Sequence, residues 1–367
     1  MEKYASKAGK PRVLFVLHLP PPLHGAALVG SVIRESGLVN DTFDARYVNL
    51  SASATLDQVG RFSFRKFQPV FRLIREVRRT VSAWKPDLVY LTPSSTMPGL
   101  LKDALTARAA RRKSVRIVLH FHNKGVADRQ DRIVYDRLYR MLFRDADVIL
   151  LSRRLYPDIR KYVPEERVSY CPNGVSVPFV SRVFATVPQV LFLSNIIRSK
   201  GVSILIEACR LLKERGVVFH CSLMGALTAD YPGDSLAEEI HNQGVEDRIA
   251  YEGPVYGNEK RDAFAKADVF VHPTLNDCFP LVVLEAMGAG LPVVTTEEGG
   301  IPDMVRDGVD GVICPKGNPT ALADALERLL SDAALRTRMG ESGRARYLEL
   351  FTLERFENRF VDILKDA

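Results

Sequence analysis

Cysteine is scarce in this chain: Cys171, Cys209, Cys221, Cys278 and Cys314 are the five in 367 residues. They are odd in number, scattered, and form no C-x-x-C pair. That pattern fits a reducing compartment and supplies no zinc site. No run of about 18 apolar residues occurs, so no segment reads as a membrane span. The first apolar run, Val13 to Leu17, is only a strand long and no small-residue cleavage site follows it. No signal peptide is therefore expected. The first βα turn lacks G-x-G-x-x-G, which removes the dinucleotide fingerprint and with it the support for a nicotinamide dehydrogenase. Low-complexity stretches, short repeats and recognisable nucleic-acid modules are missing too, so no nucleic-acid partner is expected.

What remains is ordinary globular composition, 46% apolar and 26% charged. The length exceeds one compact core, and two domains are the expectation. Apolar strand, turn and amphipathic helix alternate along the chain. Strands are expected at 12–18, 46–50, 87–92, 115–121, 147–151 and 168–171. A second set is expected at 189–194, 217–224, 248–252, 268–272, 291–296 and 311–314. Continuous Val/Ile/Leu runs with helices between them indicate parallel sheets covered on both faces. The strand–helix logic repeats in both halves, which suggests two doubly wound domains. Residues 171–188 carry three prolines, an Asn173–Gly174 turn and no helical period, so the boundary belongs there. The expected division is 1–175, a linker at 176–188, 189–352, and a last helix within 353–367.

The most informative stretch is 276–303, NDCFPLVVLEAMGAGLPVVTTEEGGIPD. Asp277 and Glu285 stand eight residues apart, separated by a turn, Pro280 and an apolar run. Pro280 fits the first turn of a helix, where its missing N–H would be unpaired anyway. The N–H groups of Leu281 and Val282 would then point forward, and such a helix start attracts phosphate. Asp277 falls just ahead of that start and Glu285 more than a turn inside it. Two acceptors flanking a phosphate seat suit a diphosphate with hydroxyls on both sides. A nucleotide sugar is such a ligand.

Four other loops carry chemistry-bearing residues. Three prolines stiffen the turn 19–27, where His24 precedes Gly25 and Gly25 lets backbone come close to a ligand. His120 and His122 flank Phe121 at a strand end, on one side if the strand continues that far. No third ligand at metal spacing lies near them, so zinc is not expected. Residues 194–201 hold Asn195, Arg198, Lys200 and Gly201. Glu252, Gly253, Pro254 and Val255 form the last of these loops, with Gly225 after another strand.

The 276–303 stretch resembles the E-x7-E signature of retaining family-4 glycosyltransferases, here written Asp277-x7-Glu285. The resemblance extends from the 18–30 loop to the last helix. It implies an α/β GT-B fold, two doubly wound Rossmann-like domains facing a central cleft, with the last helix crossing back to the first domain. It also implies roles. Asp277 and His122 orient the donor sugar, Glu285 holds the ribose, and Lys200 clamps the diphosphate. Asn195 stands where the family commonly has arginine, and Arg198 or a basic residue from the other domain is the candidate to replace that charge. Gly25 belongs to the glycine loop near the phosphates, with His24 where the first glycine would be. Gly253 and Val255 line the base, while Phe279, Leu281 and Val282 complete the donor site. The implied donor is a UDP-, GDP- or ADP-sugar, used without a metal or other cofactor. The implied reaction is retaining transfer of a hexose to a glycan or lipid-linked saccharide. A non-catalytic GT-B protein that binds a nucleotide sugar, or supports a partner transferase, is the alternative. An epimerase or glycan phosphorylase on this architecture fits the wording of 276–303 less well.

The net charge of +7 gathers in the first half. Arg61, Arg65, Lys66, Arg72, Arg75, Arg78 and Arg79 face a single Glu76 within 61–79. Phe67, Val70, Phe71, Ile74, Val77, Val81 and Trp84 form an apolar stripe expected to be core. Phe62 and Phe64 precede it, and Arg108, Arg111, Arg112, Lys113 and Arg116 add a second patch. Such a basic face suits peripheral contact with anionic lipid. A cytoplasmic protein, meeting its acceptor at the inner face of the membrane, is the expectation.

Overall fold

Apolar runs buried on both sides produce the observed strands. The computed structural model describes residues 9–21, 25–50, 68–178, 182–183 and 185–367. His24 and the segment holding Arg61, Phe62, Phe64, Arg65, Lys66 and Phe67 lie outside the described residues. The chain divides into two units, Met1–Pro172 with Phe356–Ala367, and Asn173–Arg355.

The first unit holds β1 (Arg12–Leu17), β2 (Asp44–Asn49), β3 (Leu88–Leu91), β4 (Arg116–Phe121), β5 (Ala146–Leu150) and β6 (Val168–Tyr170). They form one parallel sheet in the order β2-β1-β3-β4-β5-β6. β3 is buried throughout, and β1 and β4 in all but their first residue. From Phe356 on, the helix Leu353–Asp366 belongs to this unit and buries Phe356, Phe360, Val361 and Leu364. The Phe360 ring meets Tyr90 edge-on at 5.2 Å and lies 6.4 Å from Phe15 and 6.3 Å from His120.

The helix Gln68–Trp84 corrects one expectation. Val70, Leu73, Val77, Val81 and Trp84 are its buried stripe. Phe71 is 67% exposed. Spacings of three and four residues link 70, 73, 77, 81 and 84, and each residue turns about 100° along the helix. Phe71 falls off that stripe, beside exposed Arg72, Arg75 and Arg78.

The second unit holds β7 (Gln189–Leu193), β8 (His220–Met224), β9 (Ile249–Gly253), β10 (Val269–His272), β11 (Val293–Thr296) and β12 (Gly311–Cys314). This sheet is also parallel, in the order β12-β11-β10-β7-β8-β9. β8 begins three residues later than its apolar run. Val217 N–H instead donates to Leu212 O at 3.0 Å, closing the preceding helix. All twelve strands fall on the twelve apolar runs of the sequence. Strand order in the second unit runs outward one way through β7, β8 and β9, and the other way from β10. The reversal between β7 and β10 opens a crevice at their C-terminal ends, where ligands bind open α/β sheets.

Candidate functional site

The loops leaving β7 and β10 are laced together. Leu275 and Asn276 both donate their N–H to Ser199 O, at 2.8 and 3.2 Å. Gly201 makes this approach feasible. Its φ is +78°, and a Cβ there would lie 1.9 Å from Pro273 O. The lacing brings Lys200 to Asp277. Lys200 Nζ donates to Asp277 Oδ2 at 2.5 Å and to Asn276 O at 3.3 Å. Their side chains are 19% and 16% exposed, so the pair is only weakly screened by water.

Asp277 is held from three further directions. His272, the last residue of β10, places Nε2 3.1 Å from Oδ2. Oδ1 accepts the N–H of Cys278 at 3.0 Å, and the Asp277 N–H donates to Glu298 Oε1 at 3.4 Å. Glu298 is buried, and Lys316 Nζ donates to its Oε2 at 2.6 Å. Gly299, at φ +55°, admits this arrangement, since a Cβ there would sit 2.4 Å from Asp277 O. Lys200, Asp277, Glu298 and Lys316 thus come from the loops after β7, β10, β11 and β12. Along the C-terminal edge of one sheet, two neighbouring carboxylates are flanked by an ammonium on either side.

Burial alone would raise the Asp277 carboxyl. The hydrogen bond from His272 and the charge of Lys200 outweigh it and hold the group far below the usual carboxylate range. Burial lowers His272, and the Asp277 carboxylate only partly offsets that. A neutral imidazole donating Nε2–H to an ionised Asp277 satisfies both directions.

Pro280 is the cap, and the helix Leu281–Gly288 begins one residue later than the proline rule suggests. Leu281 and Val282 are its first two residues, whose N–H groups have no partner within the helix by position. Glu285 lies in its second turn. Lys260, on the helix Gly257–Lys266, places Nζ 2.7 Å from Glu285 Oε1 and 2.6 Å from Oε2. The Phe279 ring is buried against Phe351, with centroids 6.0 Å apart, and its carbonyl accepts a bond from Asn173. Asn195 is exposed on the loop after β7. Arg198 lays its guanidinium over the Tyr231 ring at 4.8 Å. At the end of β9, Gly253 O accepts the N–H of Gly225 at 2.9 Å. Val255 and Pro254, just beyond, line a cavity of about 650 Å³ whose walls include Leu191, Ser222, Met224 and Glu259.

In the first unit, His122 follows β4 and its ring centroid is 4.2 Å from that of His120. The loop beyond it is fixed. Asn123 Oδ1 accepts the Ser95 N–H at 2.8 Å, and the Asp158 carboxylate accepts the N–H groups of Gly125, Val126 and Ala127. His120 is fully buried with Nδ1 2.7 Å from the Tyr90 hydroxyl. Burial, and then the neighbouring His122, push it well below the ordinary histidine range. Gly25 is exposed and opens the helix Gly25–Glu35.

These neutral histidines set a pH dependence. An unfolded histidine takes up its proton near pH 6.5, whereas folded His120 and His272 resist to lower pH. In that window the unfolded chain binds more protons. Stability present above about pH 6.5 therefore drains as pH falls, by up to about 1.4 kcal/mol per unit for each histidine. Urea midpoints should drop between pH 7.5 and 5.5, and His120→Gln should lessen the drop.

Sequence reasoning singled out Asp277, Glu285 and Lys200. It passed over His272, Glu298, Lys316 and Lys260, whose partners come from other loops or another helix. The last residue of an apolar strand pointing at the crevice was the one available signal, and it applied to His272 alone.

Comparison with known proteins agrees with this construction. A family described as glycosyl transferases group 1 matches residues 177–346, and a glycosyl transferase 4-like domain matches 34–174. The amylovoran biosynthesis glycosyltransferase AmsK of Erwinia amylovora is 29% identical over 224 residues, covering 57% of this chain and 54% of AmsK. The chain spans about half the length of the curated relatives it matches. Sucrose-phosphate synthase from Thermosynechococcus elongatus superposes with a TM-score of 0.78 at 18% identity, over 98% of this chain and 99% of that one. Anabaena HepE, in complex with UDP-glucose, gives 0.72 at 20% identity over 97% and 100%. At these identities the solved structures report the fold, which is GT-B. With two doubly wound parallel sheets and family matches over most of its length, the chain belongs to the group 1, family-4-like glycosyltransferases.

Proposed function

We propose that this chain moves a hexose from a nucleotide-diphosphate sugar to a hydroxyl of a glycan or lipid-linked acceptor, with retention and without a metal. The observation that carries the reading is Lys200 beside Asp277 at the β7/β10 reversal, next to the helix start at Leu281. Breaking the glycosidic bond leaves negative charge on the diphosphate. Lys200 and the N–H groups of Leu281 and Val282 are preorganised donors for that charge. Asp277, ionised and turned by His272, accepts sugar hydroxyls. Glu285 takes the ribose. The base goes to the loop of Gly253 and Val255, where the cavity offers it room. No carboxylate stands out as a covalent nucleophile, which favours same-face attack by the acceptor hydroxyl. Relatives in amylovoran biosynthesis and the HepE complex with UDP-glucose support a polysaccharide acceptor and a nucleotide-sugar donor.

Exposed Phe71 among Arg72, Arg75, Arg78 and Arg79 favours an acceptor carried on an anionic membrane. Each such charge contributes about 1 kcal/mol near the surface. Among the described residues no helix is long and apolar enough to cross a membrane.

The test is a melting panel of UDP-, GDP- and ADP-sugars, followed by turnover on saccharide acceptors. The correct donor should raise the melting temperature by mass action. The product's anomeric configuration, read by NMR, should match the donor's, and a chelator should leave the rate unchanged. Donor binding without transfer to any acceptor would favour the non-catalytic reading.

A further inference from the structure

Lys260 was singled out by no feature of the sequence, yet its ammonium covers both oxygens of Glu285. The two side chains are 29% and 23% exposed. Pairs of that exposure contribute little to stability. Their hydrogen bonding is also incomplete. Glu285 Oε2 is buried, and among the described residues no donor is aligned on it, although Nζ lies 2.6 Å away. A lysine ammonium carries three donors, and one lone carboxylate does not use them all. One spare donor and one under-bonded acceptor therefore stand side by side.

Their position in the fold says what they face. Lys260 rides on the helix Gly257–Lys266, which begins two residues after Val255. Glu285 rides on the helix whose start, at Leu281, is the diphosphate seat. In a nucleotide the ribose is the covalent bridge between base and diphosphate. A polar pair that links the base loop to the diphosphate helix is thus at the ribose.

We propose that Lys260 and Glu285 together form a clamp for the vicinal diol of the ribose. One hydroxyl donates to the Glu285 carboxylate, and the oxygen of its neighbour accepts from Lys260 Nζ. This assignment rests on the nucleotide-sugar reading above. It adds a specificity: the chain selects ribonucleotides over their deoxy forms, and the ammonium supplies half of that selection.

The test is titration calorimetry with whichever of UDP, GDP and ADP binds, and with its 2′-deoxy and 3′-deoxy analogues. The wild-type chain should bind the ribonucleotide about tenfold or more tightly than either analogue, as expected for hydrogen bonds to charged groups. Lys260→Met should lose about tenfold in affinity for the ribonucleotide. It should become indifferent to the loss of one hydroxyl while still sensing the other. Lys260→Arg should recover part of the loss. Unchanged affinity and discrimination in Lys260→Met overturn the clamp. So does a wild-type chain that binds ribo and deoxy forms alike, a result that needs no variant to fold. Binding of none of the three diphosphates would bring down the nucleotide-sugar reading itself.

Discussion

Lys200→Ala should lower the rate of sugar transfer by about 10²–10³-fold, the usual loss when one preorganised donor to developing charge is removed. Lys200 is held for that task. Its ammonium is 2.5 Å from Asp277 and mostly out of water, so its field reaches a bound diphosphate with little screening. Alanine removes the ammonium and leaves Asp277 with only His272 and the Cys278 N–H. An uncompensated buried charge costs about 3–5 kcal/mol when nothing else meets it, so some stability will go as well. The two losses separate in Lys200→Ala/Asp277→Asn. The double variant should regain melting temperature without regaining transfer. Lys213→Ala is the control, because that ammonium pairs with Asp247 at the far end of the helix Val202–Glu214 and should matter little to the rate. Single-turnover rates, taken well below each melting temperature, make the comparison. A Lys200→Ala chain that transfers at the wild-type rate would refute the role given to Lys200.

The fold was legible because parallel strands covered on both faces are written as continuous apolar runs, such as RVLFVL in β1 and LVYL in β3. Helix faces were less legible. A stripe that includes Phe71 satisfies a loose reading of helical spacing, and only tertiary packing selects Leu73 instead. In the site, Asp277 and Glu285 could be read from spacing beside a proline and glycines, which are local signals. Their partners could not. Lys316 meets Glu298 across 18 residues and Lys260 meets Glu285 across 25. On a polar helix or loop, a lysine bound for a buried partner looks the same as a solvated one. His272 was hidden differently, as the end of the apolar strand VFVH. That Lys200 and Asp277 touch is a consequence of strand order. It follows only once β7 and β10 are known to be neighbours.

Gly201→Ala should do comparable damage without touching a charged group. The residue sits at φ +78°, a conformation that costs a side chain about 1–2 kcal/mol. Strain alone would be tolerable. The larger effect is steric: the new Cβ would stand 1.9 Å from Pro273 O and 2.7 Å from its carbonyl carbon. Backbone must move, and the backbone concerned joins His272 to Asp277. Leu275 and Asn276 lose their common acceptor at Ser199, and Asp277 is drawn off Lys200. Gly216→Ala separates strain from displacement. Its φ is +75°, nearly the same, but nothing lies within 4 Å of the added carbon. That variant should lose only the conformational cost, a few degrees of melting temperature, and keep its donor KM. Gly201→Ala should melt lower still and lose at least tenfold in donor affinity, about 1.4 kcal/mol. If the two variants behave alike, the Gly201 contact with Pro273 is not what holds Lys200 against Asp277.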